Sequence, residues 1–420
     1  MSTPPTLQQV EQTPLDMGAN IGWVLLSTAL VWLMIPGLGF FYSGLARRKN
    51  ALSLVFMCIL SIPIVSFQWF VIGYSLAFSP TGGPFIGNFD HALLRGVVTK
   101  VYKNGKIPQL AHSIFQCMFA AFPPALIIGG SAERARTMPT LVFFVIWTTL
   151  VYDFIAYWCW SDNGWFAHLG GLDFAGGTPI HISSGAAALA YSYVLGPRKD
   201  IGEGDFRPHN IMNVILVCTV TNLAASIGGL TWMLIDYRFE HRFSVVGFCS
   251  GALAGLVCVT PAAGYISIPS SLLFGIFPGV ICNILVKLRD RWRYDDALDV
   301  FAIHGIGGAL GSLLTGIFAQ KEIALLDGTT RINGGWLDGN FIQLLYQLFV
   351  VLAGLSYSFV ITLLILLAMD QIPVLKLRVR PNEEDDGIDR SELGEVGDNP
   401  QDERMRIDPE MNDADQRAIP

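Results

Sequence analysis

Residues 342–369 read IQLLYQLFVVLAGLSYSFVITLLILLAM, a run of 28 residues without a charged side chain. A helix needs about 20 such residues to cross the hydrocarbon core of a bilayer. The same bias marks the whole chain, in which 52% of the residues are hydrophobic and 15% are charged. Typical soluble domains carry about 25% charged residues. These proportions exclude a soluble globular protein and predict a membrane protein.

Nine further apolar segments precede this run. The ten predicted spans are residues 21–45, 51–78, 109–130, 138–159, 175–196, 211–235, 243–264, 267–288, 298–319 and 342–369. Because lipid offers no partner to backbone groups, such segments form helices. The predicted fold class is all-α, a polytopic transmembrane helical bundle. We expect an extracellular N-terminal segment at residues 1–20, the transmembrane domain at 21–370 and a cytoplasmic tail at 371–420.

Basic residues cluster at alternate ends of these spans. Because cytoplasmic loops carry the excess of lysine and arginine, the clusters predict an external N-terminus and a cytoplasmic C-terminus. The alternation fails once, since the clusters at 198–207 and 236–242 should both be cytoplasmic. Only about 25 residues separate Asn210 from Asp236, whereas two crossings need about 40. The sequence predicts a missing span, a re-entrant segment or one external cluster here.

The end of the chain is strongly acidic. Residues 381–420 hold 14 acidic and 4 basic residues. Segments with high net charge and few large apolar residues do not bury enough surface to fold alone. We therefore expect the tail to be largely disordered. Ser391 lies among its acidic residues and is a candidate regulatory phosphosite.

Two of the seven histidines, His181 and His304, lie deep within predicted spans. Ionisable side chains at membrane depth are costly and generally face a pore or a partner. Each follows an aspartate, in the stretches Asp173-Phe-Ala-Gly-Gly-Thr-Pro-Ile-His181 and Asp299-Val-Phe-Ala-Ile-His304. Paired features in two halves of a chain are typical of inverted-repeat transporters. The alternative is two unrelated histidines, each satisfied by a neighbouring helix.

Enzymatic, metal-binding and cofactor-binding functions find no support in the sequence. A zinc site needs three or four protein ligands, and no HExxH or CxxC spacing accompanies the histidines. The chain shows no nucleophile–base pair and no nucleotide-binding loop. We predict no enzyme, no cofactor, no metal and no nucleic-acid partner.

Aromatic residues gather near one end of the third and fourth predicted spans. They are Phe115, Phe119, Trp158, Trp160 and Trp165. One interpretation is an interfacial belt, where tryptophan is enriched. The other is a cage that attracts a small cation by cation–π contact.

The stretch from Asp173 to His181 resembles the signature of the ammonium transporters of the Amt/Mep/Rh family. Further stretches resemble that family in the same order, including Ile35–Leu45, Gln68-Trp69, Gly73–Leu76, Phe115-Gln116, Phe119, Ala132–Arg136, Pro208–Asn210, Cys249–Val257, Thr260-Pro261 and Asp299–Gly305. The resemblance covers about residues 20–395. The tail stretch Gly387–Glu395 is similar to that of the fungal Mep branch.

The resemblance implies a transport mechanism. Ammonium, or methylammonium, is drawn to an outer vestibule, gives up a proton, and passes as the neutral amine through a narrow hydrophobic pore. By resemblance, His181 and His304 are the facing pore histidines, and Asp173 shapes the entry site and assists deprotonation. The family also implies a homotrimer in the lipid bilayer of the plasma membrane.

Three aromatic residues receive roles from the same resemblance. Phe119 would form the outer gate together with Phe115. Trp160 would line the vestibule and, with Asp173, recruit ammonium.

One departure from the family is apparent. The family has eleven spans, whereas ten are readable here. The stretch from Asn213 runs directly into Thr221-Asn-Leu-Ala-Ala-Ser, which resembles the seventh family span. The sixth span would then be absent, with the second gating phenylalanine and a vestibule serine. A skipped exon or a mis-assembled gene model would explain this gap.

Two other functions stay open. The chain could be an ammonium sensor that signals through its acidic tail. Alternatively, the missing span could make it a non-conducting isoform that joins full-length subunits and reduces their flux.

Overall fold

The computed structural model describes residues 14–102, 106–198, 223–292, 295–325 and 331–394. Ten long helices fill this part of the chain. They are α1 (Pro14–Leu45), α2 (Ala51–Gln68), α3 (Gln109–Ser131), α4 (Thr137–Trp147), α5 (Ser183–Leu195), α6 (Leu223–Glu240), α7 (Val245–Val259), α8 (Ile268–Trp292), α9 (Gly307–Phe318) and α10 (Ile342–Asp370).

Four of these helices are lengthened by π-helical turns. The helix α2 continues through Trp69–Gly73 into Tyr74–Phe78, α4 continues through Thr148–Tyr152 into Asp153–Trp160, α5 is preceded by Gly177–Ile182, and α9 is preceded by Phe301–Ile306. The strands β1 (Val101–Tyr102) and β2 (Ile107–Pro108) form an antiparallel pair between α2 and α3. Short helical segments lie at Arg48–Asn50, Ala92–Leu94, Trp165–His168, Lys321–Ala324, Trp336–Asp338, Pro373–Leu375, Pro381–Asp386 and Asp389–Leu393.

The all-α membrane fold is confirmed. Seven helices in the described part of the chain are long and apolar enough to span a membrane. Large apolar side chains on α1 and α10, such as Trp23, Leu33 and Phe349, are about half exposed or more. In a membrane protein such surfaces face lipid or a neighbouring subunit, because lipid does not penalise exposed apolar groups.

Nine of the ten predicted spans agree with helices to within seven residues at each end. The sixth differs, because residues 211–222 lie outside the described residues and α6 runs from Leu223 to Glu240. The helix extends past the predicted end at residue 235, because the charge of Asp236 is paired with side chains of α8. Its Oδ1 atom accepts hydrogen bonds from Asn283 Nδ2 and Lys287 Nζ, both at 2.9 Å.

The loops define two faces of the bundle. We call the face that carries residues 371–394 the tail face, and the opposite face, which carries β1 and β2, the hairpin face. At the tail face, Arg198 after α5 pairs with Asp295 before α9, with Nε and Oδ2 2.9 Å apart. At the hairpin face, the N–H of Phe174 donates to the carbonyl of Pro261 at 3.1 Å.

Helices α6 and α7 are antiparallel neighbours. A Cβ atom on Gly255 would lie 2.4 Å from the carbonyl oxygen of Ala224, so the start of α6 lies beside the end of α7. The start of α6 is therefore at the hairpin face, whereas Arg198 is at the tail face. Only 24 residues, 199–222, separate the two points. One membrane crossing alone takes about 20 residues.

Ion pairs between charged side chains connect the loops at the tail face. Glu133 Oε2 accepts from Arg198 Nη1 at 2.8 Å and from Arg47 Nε at 2.9 Å, and Arg198 also binds Asp295. Burial alone would raise the pKa of Asp295. The charges of Arg134 and Arg198, with hydrogen bonds from Arg198, outweigh burial and lower that pKa below its usual value.

The tail differs from expectation over residues 371–394. Arg378 Nη2 donates to Glu384 Oε2 at 2.9 Å, and the backbone N–H of Arg136 donates to the carbonyl of Leu377 at 2.8 Å. The expectation of disorder is wrong for these residues because their side chains and backbone groups have specific partners, both within the segment and on the helical body. Residues 395–420 lie outside the described residues.

Candidate functional site

Two histidines meet inside the bundle. The Nδ1 atoms of His181 and His304 are 3.1 Å apart, and their rings are nearly parallel with centroids 5.2 Å apart. Their exposed fractions are 8% and 4%. The sequence-predicted pair is thus brought into direct contact.

Close approach of α5 and α9 places the pair. A Cβ atom on Gly185 would lie only 2.3 Å from the backbone nitrogen of Gly305. Small residues allow helix backbones to approach in this way. Each histidine lies in the π-helical turn that begins its span, Gly177–Ile182 for His181 and Phe301–Ile306 for His304.

Thr260, at the end of α7, determines the proton arrangement of the pair. Its hydroxyl donates to the carbonyl of Leu256 at 2.8 Å, so its single proton is already used. Its oxygen is 3.3 Å from His181 Nε2, and that contact must therefore have His181 as the donor. A neutral imidazole has one donor and one acceptor nitrogen. Nδ1 of His181 is then the acceptor and Nδ1–H of His304 the donor, which leaves His304 Nε2 as a hydrogen-bond acceptor.

Asp173 caps the turn that leads to His181. Its Oδ1 accepts from the N–H groups of Gly176 and Gly177 at 2.9 and 2.6 Å, and its Oδ2 accepts from Thr178 at 2.6 Å. Gly176 has φ of 103°, a conformation that favours glycine. The negative charge of the carboxylate is also stabilised by the positive end of the helix dipole. Asp173 thus shapes the segment immediately before the histidine.

The aspartate that caps the turn carrying His304 is Asp296, whereas the sequence indicated Asp299. Asp296 Oδ2 accepts from the N–H of Phe301 at 2.6 Å, at the start of the turn that carries His304. Asp299, the aspartate singled out in the sequence, has a positive φ of 56° in the preceding loop. The available signal was the Asp295-Asp296 pair upstream. Two carboxylate-capped turns, each carrying one histidine, repeat the same design in the two halves.

Three of the five predicted aromatic residues, Trp160, Phe119 and Phe115, form a group beside Asp173. Trp160 Nε1 donates to the carbonyl of Asp173 at 2.9 Å. Phe119 meets the Trp160 ring edge-on at 6.3 Å, and Phe115 lies 4.9 Å from Phe119 between ring centroids. A Cβ atom on Gly176 would lie 3.0 Å from Trp160 Cζ2. The aromatic group and the histidine pair are thus joined by one short segment, residues 173–181.

Ser391 does not join this site. It lies at the tail face, where its hydroxyl donates to the carbonyl of Gly387 at 2.9 Å. Its modification stays a prediction. Within the described residues, no group of three or more histidine, cysteine or acidic side chains is placed to hold a metal ion.

Comparison with known proteins agrees with this architecture. The model of the Ammonium Transporter Family matches residues 22–219 and 213–398. The chain belongs to this family. Ammonium transporter 1 of Schizosaccharomyces pombe is 45% identical, over 90% of this chain and 81% of that protein. The relatives are transporters, and ammonium transport is the function that the family supports.

Solved structures share the fold. The crystal structure of Candida albicans Mep2 has a TM-score of 0.83 at 42% identity, over 87% of each chain. A structure described as a sensor Amt protein has a TM-score of 0.81 at 26% identity, over 90% of this chain and 99% of that one.

The comparisons also bear on the gap between α5 and α6. The alignment with the S. pombe relative extends over 404 positions but uses 90% of this 420-residue chain, so about 26 positions of the relative have no counterpart here. That number is close to one membrane span of about 20 residues with its connection. The two family-model matches meet at residues 213–219, within the interval between Arg198 and α6.

Proposed function

We propose that this ammonium transporter takes up ammonium by deprotonation at an outer site and conducts ammonia along His181 and His304. The observation that carries the proposal is the buried contact between the two imidazoles. Burying an ion without partners costs many kcal/mol, whereas a neutral amine avoids that cost. A dry pore would therefore reject K⁺ and Na⁺ and admit ammonia.

The histidine pair suits a neutral guest. With the proton arrangement set by Thr260, His304 Nε2 is an acceptor for an N–H group of ammonia. A chain of hydrogen-bonding groups in an otherwise apolar passage compensates for the water that ammonia leaves behind. Methylammonium, deprotonated to methylamine, presents the same N–H chemistry and is the proposed second substrate.

The entry site is proposed at Trp160, Phe119 and Phe115. Aromatic faces attract a cation such as ammonium, and the two phenylalanine rings would gate the passage to the histidines. Asp173 would act on this step by shaping the loop, since its carboxylate accepts three backbone N–H groups. Assistance by Asp173 in deprotonation remains part of the proposal.

We place the protein in the plasma membrane as a homotrimer in the lipid bilayer. The hairpin face, with the N-terminus, would lie outside and the tail face in the cytoplasm. The basic residues Arg47, Arg134, Arg136 and Arg198 at the tail face support this orientation, because positive charge favours the cytoplasmic side.

Uptake of radiolabelled methylammonium tests the function. Cells without their own ammonium carriers would express the chain, its His181→Ala variant and a version with the sixth family span restored. Uptake by the unchanged chain that is lost in His181→Ala would support transport through the histidine pair. Equal uptake by His181→Ala and the unchanged chain would contradict the proposed route.

A non-conducting role is the alternative favoured by the 26-position shortfall. In that case uptake appears only when the span is restored, and the unchanged chain reduces the uptake of a co-expressed full-length relative. Unaltered uptake by the relative would contradict this role.

A sensing role is favoured by the structural likeness to a sensor Amt protein and by the docked tail. Deletion of residues 381–420 tests it. Loss of ammonium-dependent signalling with uptake retained would support sensing as a separable function, and unchanged signalling would contradict it.

A further inference from the structure

A cavity lies at the hairpin face, outside the histidine site. Its volume is about 300 Å³, at the lower end of the range for small-molecule sites, roughly 300–1,000 Å³. It lies between the end of the α2 extension, strand β1 and the residues that follow Trp160. Such a volume is far larger than one ammonium ion needs.

The floor of the cavity is aromatic. Phe78, Tyr102 and Trp160 line it. The Phe78 and Trp160 rings are parallel within 9° with centroids 6.5 Å apart. Tyr102 stacks on His112 at 3.5 Å, and His112 meets Phe78 edge-on at 4.8 Å. These ring contacts hold the floor in a fixed shape suited to an apolar or aromatic substituent.

Two polar groups of the floor are already engaged. His91 Nδ1 is 3.1 Å from the carbonyl of Arg95, and its Nε2 is 3.2 Å from Gln109 Nε2. The carbonyl can only accept and the amide nitrogen can only donate. Nδ1 of His91 therefore donates and Nε2 accepts, so both ring nitrogens already have partners within the protein.

The rim of the cavity carries opposite charges. Lys100 and Asp162 both line it and are exposed residues, and Ser161 lines it as well. A ligand with only a positive charge would gain from Asp162 but be repelled by Lys100. A ligand that carries both an ammonium and a carboxylate gains from both, and its substituent can rest on the aromatic floor.

We propose that this cavity binds a free amino acid with an apolar side chain. Its α-ammonium group would lie against Asp162 and Ser161, its α-carboxylate against Lys100, and its side chain on Phe78, Tyr102 and Trp160. The binding itself does not depend on transport.

An effect on transport follows if the proposed function holds. Trp160 forms part of the cavity floor and also contacts Phe119 and the Asp173 carbonyl. A bound amino acid would hold the Trp160 indole and so alter methylammonium uptake through the outer gate.

Equilibrium binding to the purified full chain tests the proposal with three matched probes. Leucine carries both charged groups, 3-methylbutylamine lacks the carboxylate, and 4-methylpentanoate lacks the amine. We expect leucine to bind and each of the other two to bind at least about fivefold more weakly, the scale of one partly exposed charge pair. Binding of the amine as tight as that of leucine, or no leucine binding at millimolar concentration, would overturn the proposal.

Two rim variants assign the contacts. Lys100→Met should weaken leucine about fivefold and leave 3-methylbutylamine unweakened, whereas Asp162→Asn should weaken both. Lys321→Met and Glu322→Gln remove the same charges from exposed positions at the hairpin face and serve as controls. Equal leucine affinity in rim and control variants would overturn the proposal. Because the binding assay needs no conduction, its result is separate from failure of the transport function.

Discussion

Nδ1 of His181 lies 3.1 Å from Nδ1 of His304, so a hydrogen bond between the two neutral rings holds a single proton. Thr260 removes the ambiguity, because its own proton is bound to Leu256 and its oxygen must accept from His181 Nε2. The order of donors therefore runs from His304 through His181 to Thr260. A threonine outside the histidine motifs determines which imidazole nitrogen is free to receive a guest.

Thr260→Val should disturb this order. Valine has the same shape but no acceptor, so His181 Nε2–H loses its partner and the two tautomer arrangements become similar in free energy. A neutral hydrogen bond is worth about 1 kcal/mol, or roughly fivefold in rate. We expect a fall in methylammonium uptake of that size in a conducting form of the chain. We also expect a change in the ¹⁵N NMR signals of labelled histidine.

Thr315→Val is the matched control for this prediction. Thr315 is fully buried and donates to Gly311 four residues before it at 2.8 Å, as Thr260 does to Leu256. Its variant should leave the histidine signals unchanged. Unchanged signals in Thr260→Val as well would show that Thr260 does not set the tautomers.

Asp173→Asn should destabilise the segment before His181. The carboxylate accepts three backbone N–H groups, and an asparagine would turn its NH₂ group toward at least one of them. Loss of such a cap costs about 1–2 kcal/mol. Thermal unfolding in detergent measures the loss, and uptake should fall with it.

Asp338→Asn is the comparison for Asp173→Asn. Asp338, at the end of the short helical segment Trp336–Asp338, accepts one backbone N–H, that of Lys321 at 2.6 Å, in an exposed contact. We expect a smaller effect there. Equal effects at the two positions would argue against a special role of the Asp173 cap.

The transmembrane helices could be predicted from the sequence because the bilayer constrains the length and polarity of each span. Its thickness sets span length, so nine of ten spans were located from apolar runs alone. His181 and His304 were found for the same reason, since ionisable groups rarely lie inside such runs. Their contact at 3.1 Å depends on the crossing at Gly185 and Gly305, which span length does not encode.

Other features needed the folded chain. Thr260 lies 79 residues from His181, and the Thr260-Pro261 stretch gives no sign of that contact, which appears only in three dimensions. The sequence indicates Asp299 and not Asp296 as the partner of the His304 turn, because Asp299 is nearer to His304 along the chain. The amino-acid composition of the tail predicts disorder because it is rich in charge. Composition does not show that backbone N–H groups of α2 bind the carboxylate of Asp389.

Stability should depend on Asp295 in a defined pH window. The pKa of Asp295 is lowered in the folded chain. Its contribution is therefore complete above the unfolded value of about 3.9 and is lost as pH falls through the lower folded value. Asp295→Asn leaves the buried Arg134 without its carboxylate and Arg198 with Glu133 alone. Breaking a buried pair costs roughly 3–5 kcal/mol at pH 7.

Thermal unfolding at several pH values checks this prediction. The difference between the unchanged chain and Asp295→Asn should be constant from pH 7 to about pH 5 and shrink below about pH 4. Glu322→Gln, at an exposed position, should stay within about 0.5 kcal/mol of the unchanged chain. A difference that grows on acidification would contradict the lowered pKa.

Asp389 ties the tail to the start of α2. Its Oδ1 accepts from the N–H of Ser53 at 2.7 Å and its Oδ2 from that of Leu52 at 2.9 Å, so a tail residue caps the helix. The N–H of Ile388 in turn donates to Asn50 Oδ1 at 2.8 Å. Asp389→Ala should cost about 1–2 kcal/mol and release the tail from the body. Limited proteolysis of the folded chain should then cut within residues 381–394 faster than in the unchanged chain.

Asp386→Ala provides the control for tail release, because Asp386 is exposed at the end of the preceding short helix, Pro381–Asp386. It removes an identical charge from the tail without removing a cap, so proteolysis should match that of the unchanged chain. Faster cutting in both variants would mean that net tail charge, rather than the Asp389 cap, holds the segment. Faster cutting in Asp389→Ala alone would establish that two backbone N–H groups of α2 anchor the tail.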